Sequence, residues 1–173
     1  LLWDILPNLT MARERQVLIG SAIDVMLAKN PAEAAGWVDG LSEGGGRGTA
    51  SELLARRWAQ QDLDGARAWV GGLPPGSSDA VKATEGLVWS WMQEDPSAVV
   101  EYAQTLEDPI VQGRAFEKAA KILAVEDPAA AAAWAAEFPQ DEQRRELVDY
   151  SLYRWAKEDP EAARAWVEAA EDN

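Results

Sequence analysis

Apolar and polar positions along this chain repeat in blocks. Taking Pro31, Leu63, Pro96, Pro128 and Pro160 as markers, successive blocks are offset by 32, 33, 32 and 32 residues. Five residues before each marker stands Met26, Trp58, Trp91, Leu123 or Trp155; six after it stands Trp37, Trp69, Tyr102, Trp134 or Trp166. Three after it comes Ala34, Ala66, Val99, Ala131 or Ala163, and ten after it Leu41, Leu73, Leu106, Phe138 or Ala170. Such offsets keep one face of a helix apolar. They predict long helices near residues 12–27, 47–60, 79–93, 111–125 and 142–157. Shorter helices are predicted after Pro31, carrying Ala34 to Leu41, and near 63–73, 96–106, 128–138 and 160–170. Nothing alternates with period two, so no strand is expected.

The junction between long and short helix has its own chemistry. It reads Asn30-Pro31, Asp62-Leu63, Asp95-Pro96, Asp127-Pro128 and Asp159-Pro160. An N-cap Asp or Asn accepts a bond from an otherwise unpaired backbone N–H, and Pro at the first helical position lacks an N–H that would go unpaired. In Asn30-Pro31-Ala32-Glu33 the acid completes a variant capping box. Leu63 shows that the cap survives without the Pro. These pairs are helix starts, and no site is assigned to them. Seven of the nine Trp residues recur in register on the apolar seam, all but Trp3 and Trp89, so they are read as core. There, small Ala lets helices approach and the aromatic ring fills the gap. Gly44-Gly45-Gly46-Arg47-Gly48 follows a helix and lacks the Lys of a phosphate cradle, so it is read as an inter-repeat turn.

A run Asp-Pro-x-x-Ala-x-x-Trp after a helix ending Trp-Ala-x-x-Asp resembles the tetratricopeptide junction, over about residues 15–173. The departures are a repeat shorter than the roughly 34 residues of that family, no Leu-Gly pair, no first-helix Tyr, and a helix truncated at Leu/Phe-Pro. The pattern also looks like the Trp- and Asp-Pro-rich helical arrays of large bacterial proteins. The resemblance implies an all-α fold, a right-handed α-solenoid of about five antiparallel helical hairpins, used for protein binding or scaffolding. It carries over no ligand-contacting residue. Residues 1–10 are read as the remnant of a preceding repeat, and 11–173 as a single repeat domain with junctions near Pro31, Leu63, Pro96, Pro128 and Pro160. The apolar Leu1, Leu2, Trp3, Ile5 and Leu6 suggest covalent continuity with repeats or domains upstream.

Composition narrows the function. A net charge of −14 repels phosphate backbones and anionic headgroups, which sets nucleic acid aside, and no membrane-inserting run is visible. The chain has no Cys and no His, which removes thiol chemistry, the commonest general base near neutral pH and the commonest metal ligand. No cofactor or metal is expected, and no catalytic activity.

One column off the seam is acidic: Glu52, Glu85, Glu117 and Asp149, with Gly20 at its head. Four residues on stand Asp24, Arg56, Trp89, Lys121 and Tyr153. Glu52–Arg56 and Glu117–Lys121 are therefore expected as helix-supporting pairs. The competing expectation is a partner site. Carboxylates beside Trp89 and Tyr153 suit a basic peptide or protein through charge pairing and cation–π contact. The rival from another class is a structural spacer or self-assembling array with no peptide groove.

Overall fold

The structure, a computed structural model, describes residues 12–42, 46–136 and 142–171. Expectations for residues 1–10, Phe138 and the Gly44–Gly45 turn lie outside them. The described residues form ten helices and no strand, so the protein is all-α. The long helices are α1 (Ala12–Leu27), α3 (Arg47–Ala59), α5 (Ser78–Trp91), α7 (Pro109–Glu126) and α9 (Glu142–Glu158). The shorter ones are α2 (Pro31–Asp39), α4 (Leu63–Gly71), α6 (Pro96–Thr105), α8 (Pro128–Ala136) and α10 (Pro160–Glu171). Each long helix packs on the next long one, and each of α2, α4, α6 and α8 lies against the long helices before and after it.

One residue at each junction serves two helices. The backbone N–H of Asn30, Asp62, Asp95, Asp127 and Asp159 donates to the carbonyl of Met26, Trp58, Trp91, Leu123 and Trp155 respectively, at 2.7 to 2.9 Å. Its side chain then caps the next helix, accepting from the N–H of Ala32, Gly65, Ala98, Ala130 and Ala162 at 2.9 to 3.0 Å. The junction is thus a fixed corner repeated five times. It brings the residue whose carbonyl takes the cap N–H against the aromatic eleven positions later. Trp58 stacks on Trp69, while Trp91 meets Tyr102 and Trp155 meets Trp166 at a tilt, with centroids 6.1, 5.4 and 6.4 Å apart. Where the first partner is Leu123, Trp134 meets Phe116 edge-on at 6.0 Å instead. Pairs of this kind contribute about 0.5–1.5 kcal/mol each beyond area burial.

The seam is largely as the columns place it. Ala34, Ala66, Val99, Ala131 and Ala163 are all buried. The aromatics are less enclosed: Trp91 and Tyr102 are buried, while Trp37, Trp58, Trp69, Trp134, Trp155 and Trp166 are half-buried. Ala170, expected in the seam, is exposed, because no described helix packs over that end of α10. Helix α7 begins two residues before its expected start, because Asp108-Pro109 is a further cap: Asp108 Oδ1 accepts from the N–H groups of Ile110 and Val111. The early ends of α2 and α4 come at Gly40 and Gly72, whose N–H groups close the last turn.

The α3–α5 contact is the tightest. Gly86 of α5 lies directly on the backbone of Glu52. A side chain at position 86 would hold these two helices apart.

Candidate functional site

The acidic column lies on the long helices, but its members differ in what they offer a partner. Glu52, Glu85, Trp89 and Glu117 are only partly exposed, whereas Asp149 and Tyr153 are open to solvent. Glu85 takes a bond from Lys82 at 2.7 Å, and this bond holds the Lys82 ammonium above its ordinary pKa. Glu117 is held by Arg114 at 2.6 Å and Lys121 at 2.5 Å. Burial pushes its carboxyl up, but the bonds and charges of Lys121 and Arg114 outweigh burial, and the net shift is downward. The expected Glu117–Lys121 pair is therefore present.

Arg56, expected to pair with Glu52, lies over Trp89 with its guanidinium carbon 3.1 Å from the ring centroid. Burial lowers the Arg56 pKa, with Glu52 opposing. Contact between Gly86 and Glu52 sets the helix offset that allows this stack. Tyr153 carries Lys157 at 4.2 Å from its ring centroid, within the same helix. The sequence-predicted group is thus spread over four helices, with cations of the chain itself between its members. Each aromatic of the column already has a cation beside it.

Two arginines on the long helices hold successive units together, which the period alone did not announce. Arg57 of α3 donates to the Gly20 carbonyl of α1 at 2.6 Å and pairs with Asp24. Arg154 of α9, at the equivalent place three repeats later, donates through Nε to the Ala124 carbonyl of α7 at 3.2 Å. Gly20 has a direct use here, since a Cβ on it would meet Arg57 Nη2 at 2.8 Å. Arg47 reaches across α3–α5 to Asp79 at 2.5 Å.

A concave feature lies elsewhere, where the turn after α4 meets the turn after α6. It is a cleft of about 520 Å³, walled by Val70, Leu73, Tyr102, Leu106 and Val111, with Thr84 in its wall and Glu107 and Asp108 at the α6–α7 turn. Thr84 is fully buried, and its hydroxyl has no hydrogen-bond partner among the described residues. The helix serines behave otherwise: Ser21, Ser51 and Ser151 each donate to the carbonyl four residues back. Burial pushes the Tyr102 phenol above its ordinary pKa, so it stays neutral. The available sequence signal was slight: Thr84 falls in the column Ile19, Ser51, Phe116, Val148, where apolar residues predominate.

Among the described residues, no group of three or more Asp and Glu is placed to hold a metal ion, and no helix is long and apolar enough to cross a membrane. No protein-family model, curated protein or solved structure matches the chain.

Proposed function

We propose that this chain is a non-catalytic protein-interaction or scaffolding module of a larger bacterial protein, built as a tetratricopeptide-like, right-handed α-solenoid of five antiparallel helical hairpins. The observation that carries the reading is the row of long helices, each packed on the next, with a capped corner of the same geometry at every junction. Stacked units of this kind present an extended surface whose length grows with repeat number. A chain with 30 acidic and 16 basic residues and no His or Cys suits recognition of a basic protein or peptide better than chemistry on a substrate. Nucleic acid and membrane insertion stay outside the proposal for the same electrostatic reason and for lack of an apolar span.

A second reading, a spacer or self-assembling array, draws on one specific observation. Glu85, Glu117 and Trp89 already have cationic partners within the chain, so the long-helix face is partly self-satisfied. The test is titration of a Lys/Arg-rich peptide into the native chain and into a variant carrying Glu52→Lys, Glu85→Lys, Glu117→Lys and Asp149→Lys. Binding by the native chain and loss in a folded variant supports a partner site on that face. Equal binding by both moves the site off the face. No binding, together with mass that rises with concentration in light scattering, favours self-assembly and sinks the module reading.

A further inference from the structure

Charge is distributed unevenly between the two kinds of helix. The five long helices carry thirteen basic and eleven acidic residues, so together they are close to neutral. The described residues outside them include fourteen acids and three bases, Lys29, Arg67 and Arg164. The excess of acid thus lies with the short helices and turns. There too lies the cleft between the α4–α5 and α6–α7 turns, where the C-terminal ends of α4 and α6 meet. Val70, Leu73, Leu106 and Val111 wall it, and no Lys or Arg lines it. The last residues of these two helices, Gly71 and Thr105, each stand four before a proline, Pro75 or Pro109, that has no N–H to close on their carbonyls. Helix ends of this kind attract cations. Asp108 is fixed at the mouth, since its Oδ1 accepts from the N–H groups of Ile110 and Val111. Its Oδ2 has no partner among the described residues, and a Cβ on Gly76 of the opposite turn would meet it at 3.2 Å. Glu107 beside it is exposed and pairs with no cation among the described residues. Arg67, the base nearest in sequence on α4, is held over the rings of Trp91 and Tyr102, 5.0 and 5.3 Å from their centroids.

We infer that this cleft, and not the acidic column of the long helices, is where a basic partner docks, by inserting a Lys or Arg side chain. An apolar groove with an anionic mouth and no cation of its own is complementary to a side chain with an apolar stem and a charged head. The stem would lie along Val70, Leu73, Leu106 and Val111, and the head would meet Asp108 Oδ2 and Glu107. A volume of about 520 Å³ leaves room for the side chain and the adjoining backbone. This assignment rests on the reading of the chain as a protein-binding module and names the surface that module uses.

The probes are acetylated, amidated penta-lysine and its penta-glutamine counterpart, and binding is followed by methyl NMR of the full chain at low salt. Penta-lysine is expected to shift the methyls of Val70, Leu73, Leu106 and Val111, and penta-glutamine to leave them in place. Glu107→Gln with Asp108→Asn removes the two charges and keeps an N-cap acceptor at position 108. That variant should fold and bind penta-lysine about tenfold more weakly, the value of one charge-assisted hydrogen bond. Gly71→Leu keeps every charge and should abolish the shifts without unfolding the chain, since Gly71 lines the cleft and a Cβ built on it meets no atom within 4 Å. The variant with four lysines on the acidic column should still bind. Unchanged affinity in the Glu107→Gln, Asp108→Asn variant overturns the assignment, as do shifts that survive Gly71→Leu or appear equally with penta-glutamine. Shifts confined to the exposed methyls of Val17, Val25 and Val125 on the long helices, with binding lost in the four-lysine variant, overturn the cleft and leave the module reading standing. No shift with penta-lysine anywhere overturns both.

Discussion

Replacing Gly86 by alanine should reverse the sign that helix propensity assigns to the change. Gly86 is buried in α5, and in an isolated helix Ala would be preferred by about 1 kcal/mol. Here the added Cβ would stand 2.9 Å from the Glu52 carbonyl carbon and 3.1 Å from its Cα, and closer still to the carbonyl oxygen. These are backbone atoms of α3 and cannot swing aside, so α3 and α5 must separate. Overpacking of this kind costs about 3 kcal/mol at the upper end of its usual range. Subtracting the propensity gain leaves a net loss of about 2 kcal/mol. The separation would also pull Arg56 off Trp89. Urea unfolding followed by tryptophan fluorescence measures the effect, with Gly36→Ala in α2 as its counterpart. A Cβ on Gly36 meets nothing within 4 Å, so that substitution should stabilise by about 0.5–1 kcal/mol. If Gly86→Ala is as stable as the native chain or more so, the close α3–α5 approach is wrong.

Further expectations concern single side chains. Trp91→Ala, which removes a buried ring in contact with Tyr102, should cost about 3–5 kcal/mol in the same unfolding assay; a loss below about 1 kcal/mol would put the aromatic pairs outside the core. Trp89→Ala should cost about 2 kcal/mol, less than a core tryptophan because the ring is half-buried and held partly by Arg56; no change in stability would mean that the stack does not form. Glu117 has a depressed pKa in the folded chain, so its stabilising effect is fully present above the unfolded-state value near 4.5 and is lost as pH falls through the lower folded value. Glu117→Gln should therefore be slightly less stable than the native chain at neutral pH, by up to about 1 kcal/mol, and should converge with it in acid. A gap that persists unchanged into acid would show that its charge is not responsible.

The repeat, the helix order and the caps were legible because each depends on residues close in sequence. An Asp-Pro pair caps the helix it begins, and Trp58 meets Trp69 across one corner, eleven residues apart. Contacts between units were not legible. Arg56 finds Trp89 and Arg57 finds the Gly20 carbonyl only once adjacent long helices have a particular offset, and between α3 and α5 that offset depends on the small Gly86. The acidic column lies on the long helices, yet a column shows only which residues share a face. Lys82 and Arg114 stand three residues before two of its acids on the same helix, so the i,i+3 spacing was the signal for those pairs, and it lies outside the column itself. Nor does a period locate the cleft, which arises where the Leu73-Pro74-Pro75-Gly76 turn meets the turn ending at Asp108.

The central claim, a repeat array that recognises a basic partner, is tested most directly by calorimetric titration of the native chain with Lys-rich and Glu-rich peptides of equal length at low and high ionic strength. Saturable binding of the Lys-rich peptide that weakens with salt, and none of the Glu-rich one, is the predicted result. Heat of binding that is absent for both peptides, or the same for both at either salt concentration, would contradict it.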